Sequence, residues 1–280
     1  MQKKENIYSE KERKLVINPI LNKIKSLRKN NQTVVIGLQG GQGTGKSTLS
    51  SFLKDELKKE GYKVQAFSID DFYKTNAERQ KLRKKYKNNP FYQISRGLPG
   101  THRIDFLLKT LKLIKAGKDF EIPVFDKSLH NAQGDVLKKT IKVKGRQDFI
   151  FFEGWCVGIT SASALELKKI CEKNKIGLNK IDPTLKHSKV ILAFVKKYEP
   201  LWQYMDLMIM MKPSSADLHK KWRFQAEKEL KKKKGKGMDE KGVNHFVDIF
   251  LPFTYLCYEK MKADLTILID KKHDFYRLLP

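Results

Sequence analysis

Apolar residues in this chain fall into two patterns, short continuous runs and longer stretches with three- and four-residue spacing. The runs are Thr33-Val34-Val35-Ile36-Gly37-Leu38, residues 62–69, Phe149-Ile150-Phe151-Phe152, residues 207–211 closed by Pro213, and Leu265-Thr266-Ile267-Leu268-Ile269. Each has the length of a strand, and an unbroken apolar run suits a strand covered on both faces. Between them lie helical patterns. Leu49, Phe52, Leu53 and Leu57 share one face of residues 47–60, with Gly61 as the stop. Residues 104–116 end at Gly117, and Val243, Phe246, Val247, Phe250 and Leu251 mark another helix. Residues 186–204 fit either state at Val190 to Val195 and are read as helix. Strands alternating with helices predict parallel β-α-β units and an α/β fold.

Two segments stand apart from that alternation. In residues 1–30, Ile17, Ile20, Leu21, Ile24 and Leu27 form an amphipathic stripe, predicting an N-terminal helical extension packed on a domain of residues 31–280. A membrane-surface helix is the weaker reading, because the stripe lacks aromatics. Residues 74–97 are basic and polar, and are predicted to be irregular or helical at the surface.

Residues 40–47 add chemistry to the pattern. They read Gly-Gly-Gln-Gly-Thr-Gly-Lys-Ser and match the phosphate-binding loop G-x-x-x-x-G-K-[ST], set between a predicted strand and its helix. Glycines let backbone wrap phosphate oxygens, and N–H groups opening the helix point at the anion. Gly40, Gly41, Gln42, Gly43, Thr44 and Gly45 form that cradle. Lys46 is expected at the β- and γ-phosphates, Ser47 on Mg²⁺, and Thr48 at the α-phosphate. The fold expectation sharpens to a three-layer P-loop NTPase with a mostly parallel central sheet and a helical lid.

Charge changes the picture less than its size suggests. The 280 residues carry a formal charge of +27, but the lysines are spread along polar helix faces. No strand sets spaced aromatics among basic residues as a base-stacking platform would. The charge is read as aiding solubility and attracting anionic substrates, with nucleic acid an unfavoured partner. Cys156, Cys171 and Cys257 are too few and scattered for a disulfide framework or a zinc site. No apolar stretch is long enough to span a bilayer. Residues 1–14, with Glu5, Glu10 and Glu12, do not resemble a targeting signal, so a cytoplasmic protein is expected.

Phosphoryl transfer needs a metal, cationic stabilisation and a group to deprotonate the acceptor. Ser68-Ile69-Asp70-Asp71-Phe72-Tyr73 puts two acids at the end of the second strand, the edge where open parallel sheets place their sites. Either acid could take the acceptor proton, or cap the turn instead. Glu153 directly follows the run 149–152 and is a candidate beside Mg²⁺. Two polar loops draw notice: Arg96-Gly97-Leu98-Pro99-Gly100-Thr101-His102, and Pro123-Val124-Phe125-Asp126-Lys127-Ser128-Leu129-His130. Trp222-Arg223-Phe224-Gln225 opens a helix running into Lys231–Lys234 and the glycines at 235 and 237, the pattern of a basic lid. Arg223 is the candidate to reach the moving phosphoryl group, since a guanidinium binds two oxygens at once.

These segments, with Phe152-Glu153-Gly154-Trp155, Trp222 to Glu227 and Gly235-Lys236-Gly237-Met238, resemble the D-glycerate 3-kinase family of the phosphoribulokinase and uridine kinase group. The resemblance runs over residues 33–270. It implies an ATP- and Mg²⁺-dependent kinase of a small alcohol, with D-glycerate the leading acceptor and 3-phospho-D-glycerate the product. It makes Asp70 the general base, Asp71 a neighbour that helps hold the metal, and Glu153 the metal-side carboxylate. It also implies that Asp126 and His130 line the acceptor pocket. A glycerate carboxylate needs cations, and Arg96, His102, Arg103 and Lys127 are those available. Some fungal members bind ATP without a settled substrate, so a nucleoside or pantothenate-like alcohol is the alternative acceptor. A nucleotide-dependent binding protein without turnover is the alternative of another class.

Overall fold

The computed structural model describes residues 7–234 and 237–280. The Gly235-Lys236 pair of the lid motif and the first six residues lie outside the described residues. Six strands form one sheet: β1 (Val34–Gly40), β2 (Val64–Ser68), β5 (Phe149–Gly154), β6 (Leu207–Pro213), β7 (Leu265–Ile269) and β8 (Phe275–Leu279). Their order is β2-β5-β1-β6-β7-β8, parallel throughout except for β8. The remaining strands, β3 (Phe120–Asp126) and β4 (Asp135–Val143), pair as a separate antiparallel ribbon. The five strands marked by apolar runs are thus the five parallel ones.

The runs are continuous because both faces are covered. Along β5, Phe149 and Phe151 enter one core while Ile150 and Phe152 enter the other. In β1, Val34, Ile36 and Leu38 take the first side and Val35 the second. Helix α2 (Lys46–Lys59) covers the first face with Leu49, Phe52, Leu53 and Leu57, all buried. Helices α4 (Ile104–Lys115), α5 (Ala164–Lys173), α6 (Lys186–Val195) and α8 (Glu240–Lys260) build the second. Helix α7 (Asp217–Lys234) crosses near the phosphate loop.

The N-terminal stripe packs into the first core. Ile17, Ile20 and Ile24 are fully buried there, on helix α1 (Asn18–Ser26) and the turn before it. Buried Glu12 joins this segment to the sheet's far edge: it accepts from Ser9 N at 2.8 Å and from Phe275 N at 3.0 Å.

Four segments add to or depart from the sequence reading. The 74–97 stretch holds helix α3 (Asn76–Lys85), and one of its cations is interior: Arg79 is 1% exposed. The segment expected as a loop at 123–130 is instead strand up to Asp126, then a turn. Finally, β4 and β8 lack the apolar run of a central strand because each pairs on one side only and carries charged residues on its open face.

Candidate active site

Sheet register sets up the site. Leu38 and Ser68 both lie opposite Glu153, so the C-terminal ends of β1, β2 and β5 are level. Just beyond that line come the phosphate loop, Asp70 and Trp155. A nucleotide half and an acceptor half can be told apart by what holds them.

In the nucleotide half the loop 41–45 is tied to buried groups. Gly43 has φ +80°, and a Cβ there would lie 2.8 Å from Trp222 Cβ, so α7 can approach only a glycine. Lys46 Nζ donates to Gly41 O at 3.0 Å, and Thr44 Oγ1 donates to the same carbonyl at 2.9 Å. Gly41 N donates to Tyr258 Oη at 2.9 Å, and that hydroxyl lies 3.1 Å from Met211 O and 3.4 Å from His219 Nε2. His219 Nδ1 lies 3.0 Å from Gln42 O. Burial drives the His219 pKa down to about 4. A neutral ring has one N–H, and the Gln42 carbonyl can only accept, so Nδ1 carries the proton. Trp222 is buried and stacks on His273, ring centroids 4.2 Å apart.

Ser47 Oγ donates to Glu153 Oε1 at 2.7 Å. A hydroxyl beside a carboxylate is a donor set that suits Mg²⁺, which binds few protein oxygens and keeps waters and phosphate oxygens as its other ligands. Among the described residues, no group of three or more His, Cys, Asp or Glu could hold a metal by itself. Burial pulls the Lys46 ammonium below its usual range, against the carboxylates of Glu153 and Asp70 that raise it. That coupling puts Lys46, Glu153 and Asp70 within reach of one another's charge.

The acceptor half starts from the turn Ile69–Phe72 after β2. Ser68 Oγ accepts from Asp70 N at 3.2 Å, and Asp71 Oδ2 accepts from Ser68 N at 2.8 Å. Asp71 therefore caps the turn, while Asp70 faces other side chains. Tyr73 donates to Asp70 Oδ1 at 2.6 Å, and Lys127 donates to Oδ2 at 2.9 Å. Burial alone would raise Asp70; the Lys127 ammonium, the Tyr73 hydroxyl and His102 outweigh it and hold the carboxyl below its usual range. Asp71 goes the other way, up to about 6. Burial and the charges of Asp70 and Glu153 raise it, opposed by the Ser68 N–H.

The Arg96–His102 loop is braced against this turn. Arg103 N donates to Phe72 O at 2.7 Å and Lys74 N to Thr101 O at 2.8 Å. Gly97, at φ +117°, would place a Cβ 2.5 Å from Phe250, and its carbonyl accepts from Trp155 Nε1 at 3.0 Å. The Trp155 carbonyl in turn accepts from Gln39 Nε2 at 3.0 Å, joining the loop to β1. His102 stacks on Tyr73 with centroids 4.5 Å apart, and its Nδ1 lies 2.7 Å from Tyr198 Oη. Burial lowers its pKa to about 4, and among the described residues its buried Nε2 has no hydrogen-bond partner. Arg96 donates to Ala132 O at 2.6 Å and lies over the Phe125 ring.

Other candidates point elsewhere. Arg103 lies over Phe106 and feels the charge of Glu78. Asp126 Oδ1 accepts from Ser128 N and Oγ, capping the turn after β3. His130 is half exposed and pairs with Asp135 at 3.0 Å. Arg223 is paired with Glu227 and lies over Phe246, although its backbone adjoins Gly43.

Comparisons with known proteins bear on the fold and the family. A family model described as Nephrocystin 3, N-terminal, matches residues 20–133. The solved D-glycerate 3-kinase of Cryptococcus neoformans superposes with a TM-score of 0.81 at 26% identity, over 94% of this chain and 96% of that one. The chloroplastic D-glycerate 3-kinase of Arabidopsis thaliana is 31% identical over 78% of this chain, which spans 46% of that enzyme's length. The uncharacterized kinase mug58 of Schizosaccharomyces pombe is 33% identical over 85% of this chain and 86% of its own length. The chain belongs to the glycerate 3-kinase family of P-loop kinases. Its reaction class is that of the family, phosphoryl transfer to an alcohol.

Several residues of the candidate site escaped the sequence reading. His219, Tyr258 and His273 brace the phosphate loop from α7, α8 and the turn before β8, and no spacing links them to it. Tyr73 and Trp155 stood inside quoted motifs, but nothing in a motif shows which side chain it contacts.

Proposed function

We propose that the chain transfers the γ-phosphoryl group of ATP to a hydroxyl of a small acidic acceptor, with D-glycerate the leading candidate. The observation that carries this reading is the Asp70–Lys127 pair, a carboxylate and a half-exposed ammonium 2.9 Å apart, within charge reach of Lys46. The carboxylate serves as base for the hydroxyl, and the ammonium offers a partner for the acceptor's acid group. The names of the two D-glycerate 3-kinases support the choice of acceptor.

In this reading Gly40, Gly41, Gln42, Gly43, Thr44, Gly45, Lys46 and Thr48 hold the triphosphate. Ser47 and Glu153 hold Mg²⁺, with Asp71 nearby; the ion would neutralise phosphate charge when bound. Lys46 stabilises the moving phosphoryl group, and Arg223 joins it on leaving Glu227. Asp70 accepts the hydroxyl proton. The Nε2 of His102, buried near Asp70 and without a partner among the described residues, hydrogen-bonds the acceptor, and Arg96 adds positive charge. Among the described residues no helix is long and apolar enough to cross a membrane, and a cytoplasmic setting remains part of the proposal.

The test is ADP release measured over a panel of D-glycerate, glycerol, uridine and pantothenate. D-glycerate is expected to stimulate turnover, and glycerol to do so at least ~10-fold less, the weight of one charge-assisted contact. Stimulation by uridine or pantothenate but not by glycerate would overturn the acceptor assignment.

A further inference from the structure

Both oxygens of Asp70 are engaged, but by partners of different character. Tyr73, which donates to Oδ1, is 2% exposed and stacked on His102. Lys127, on Oδ2, sits on the turn after β3 with its side chain 58% exposed. The first contact is built into the interior. The second is made by a flexible solvated chain that an incoming anion meets directly.

We infer that Lys127 is an acceptor-responsive clamp on Asp70, closed on the base in the free enzyme and drawn off it by the carboxylate of an acidic acceptor. This deepens the reading above and rests on it for the role of Asp70. With the clamp closed, the lone pair needed for a hydroxyl proton is shared with an ammonium. An acceptor carboxylate competes for that ammonium and leaves Oδ2 to the acceptor's own hydroxyl. The hydroxyl proton then passes to Oδ2 as its oxygen bonds to the γ-phosphorus. The bond from that phosphorus to the bridging oxygen breaks, and its electron pair leaves on ADP. Neutral alcohols and water lack the carboxylate and leave the clamp closed, so ATP is spared when no acidic acceptor is present.

Geometry also limits the acceptor. Lys127 Nζ and Asp70 Oδ2 are 2.9 Å apart, and each new hydrogen bond spans about 2.8 Å. A ligand that engages both at once has its hydroxyl only a few bonds from its carboxylate. Because the ammonium is captured from this starting separation, a carboxylate close to the reacting hydroxyl, as in a short hydroxy acid, reaches it most directly.

The test compares wild type, Lys127→Met and Lys127→Arg for ATP hydrolysis without acceptor, and for turnover with D-glycerate and with glycerol. In Lys127→Met, acceptor-free hydrolysis is expected to rise about two- to fivefold, the weight of a half-exposed ion pair. The preference for glycerate over glycerol should fall ~10–100-fold. Lys127→Arg retains the charge and should keep hydrolysis low. Because the side chain is exposed, thermal melting should not move. If Lys127→Met slows glycerate and glycerol equally and leaves acceptor-free hydrolysis at the wild-type rate, the clamp is overturned, whatever the acceptor proves to be. If hydrolysis rises but wild type responds to another short hydroxy acid, lactate, and not to D-glycerate, the clamp stands and the glycerate assignment falls; a response to uridine alone overturns both.

Discussion

The two halves of the site are held by opposite means. Around the phosphate loop the supports are buried and close-packed: Tyr258 on Gly41, His219 on Gln42 and Trp222 on Gly43. On the acceptor side the long cations on turns are Lys127, paired with Asp70, and Arg96, bonded to Ala132 O, each held by a contact that a ligand can replace. A triphosphate presents the same shape to any kinase, and a rigid cradle suits it. Acceptors differ between relatives on one scaffold, and exchangeable side chains on a ribbon allow that variation. Rigidity on one side and replaceable contacts on the other imply different kinetic signatures when each is damaged.

The largest effect should come from the base itself. Asp70→Asn preserves shape and removes the basic oxygen. It is expected to lower kcat by ~10²–10⁴-fold, the usual weight of general base help. Nucleotide affinity, measured by calorimetry, should stay close to that of wild type because the cradle is untouched. Unchanged turnover would show that another group takes the proton, and a lost nucleotide affinity would show that the two halves are not separable.

That separation was only half legible in the chain. The strand runs at 33–38 and 149–152 and the loop at 40–47 announced a parallel sheet and an anion cradle, because burial on both faces and tight phosphate wrapping leave local signatures. Lys127 and Asp70 stand 57 residues apart, and only the ribbon's fold brings them together. Arg79 shows the same limit. In sequence it is one more cation in a basic stretch. In the structure it is buried, donates to Gln133 O at 2.9 Å and lies over Phe125, propping the ribbon that carries Lys127. Charge counts cannot reveal which lysine or arginine is interior, since burial is decided by contacts distant in the chain.

A smaller effect, on the rigid side, is expected from Tyr258→Phe. The ring and its packing remain, but the Gly41 N–H loses its acceptor and Met211 O loses a neighbour. A buried backbone donor left unpaired costs about 1–3 kcal/mol, which weakens the cradle's geometry. The KM for ATP should rise roughly 5–100-fold, by the same factor with every acceptor, while the ratio of rates between acceptors holds. A change confined to one acceptor would mean that the hydroxyl serves the other half of the site.

The smallest effect concerns the interior partner of the base. Tyr73→Phe keeps the ring that stacks on His102 and removes only the hydroxyl that donates to Asp70 Oδ1 at 2.6 Å. That bond favours the charged carboxylate and is one of the influences holding its pKa below the usual range. Without it the pKa rises. A general base works only when deprotonated, so activity falls as the pH drops through its pKa. The acidic limb of kcat/KM, which reports the free enzyme, should therefore move to higher pH by up to about one unit. On the plateau above the limb a slightly stronger base should leave kcat unchanged or modestly raised. An unmoved limb would mean that some other group than Asp70 titrates there. A limb displaced to lower pH would mean that the hydroxyl favours the protonated acid, contrary to its role as donor.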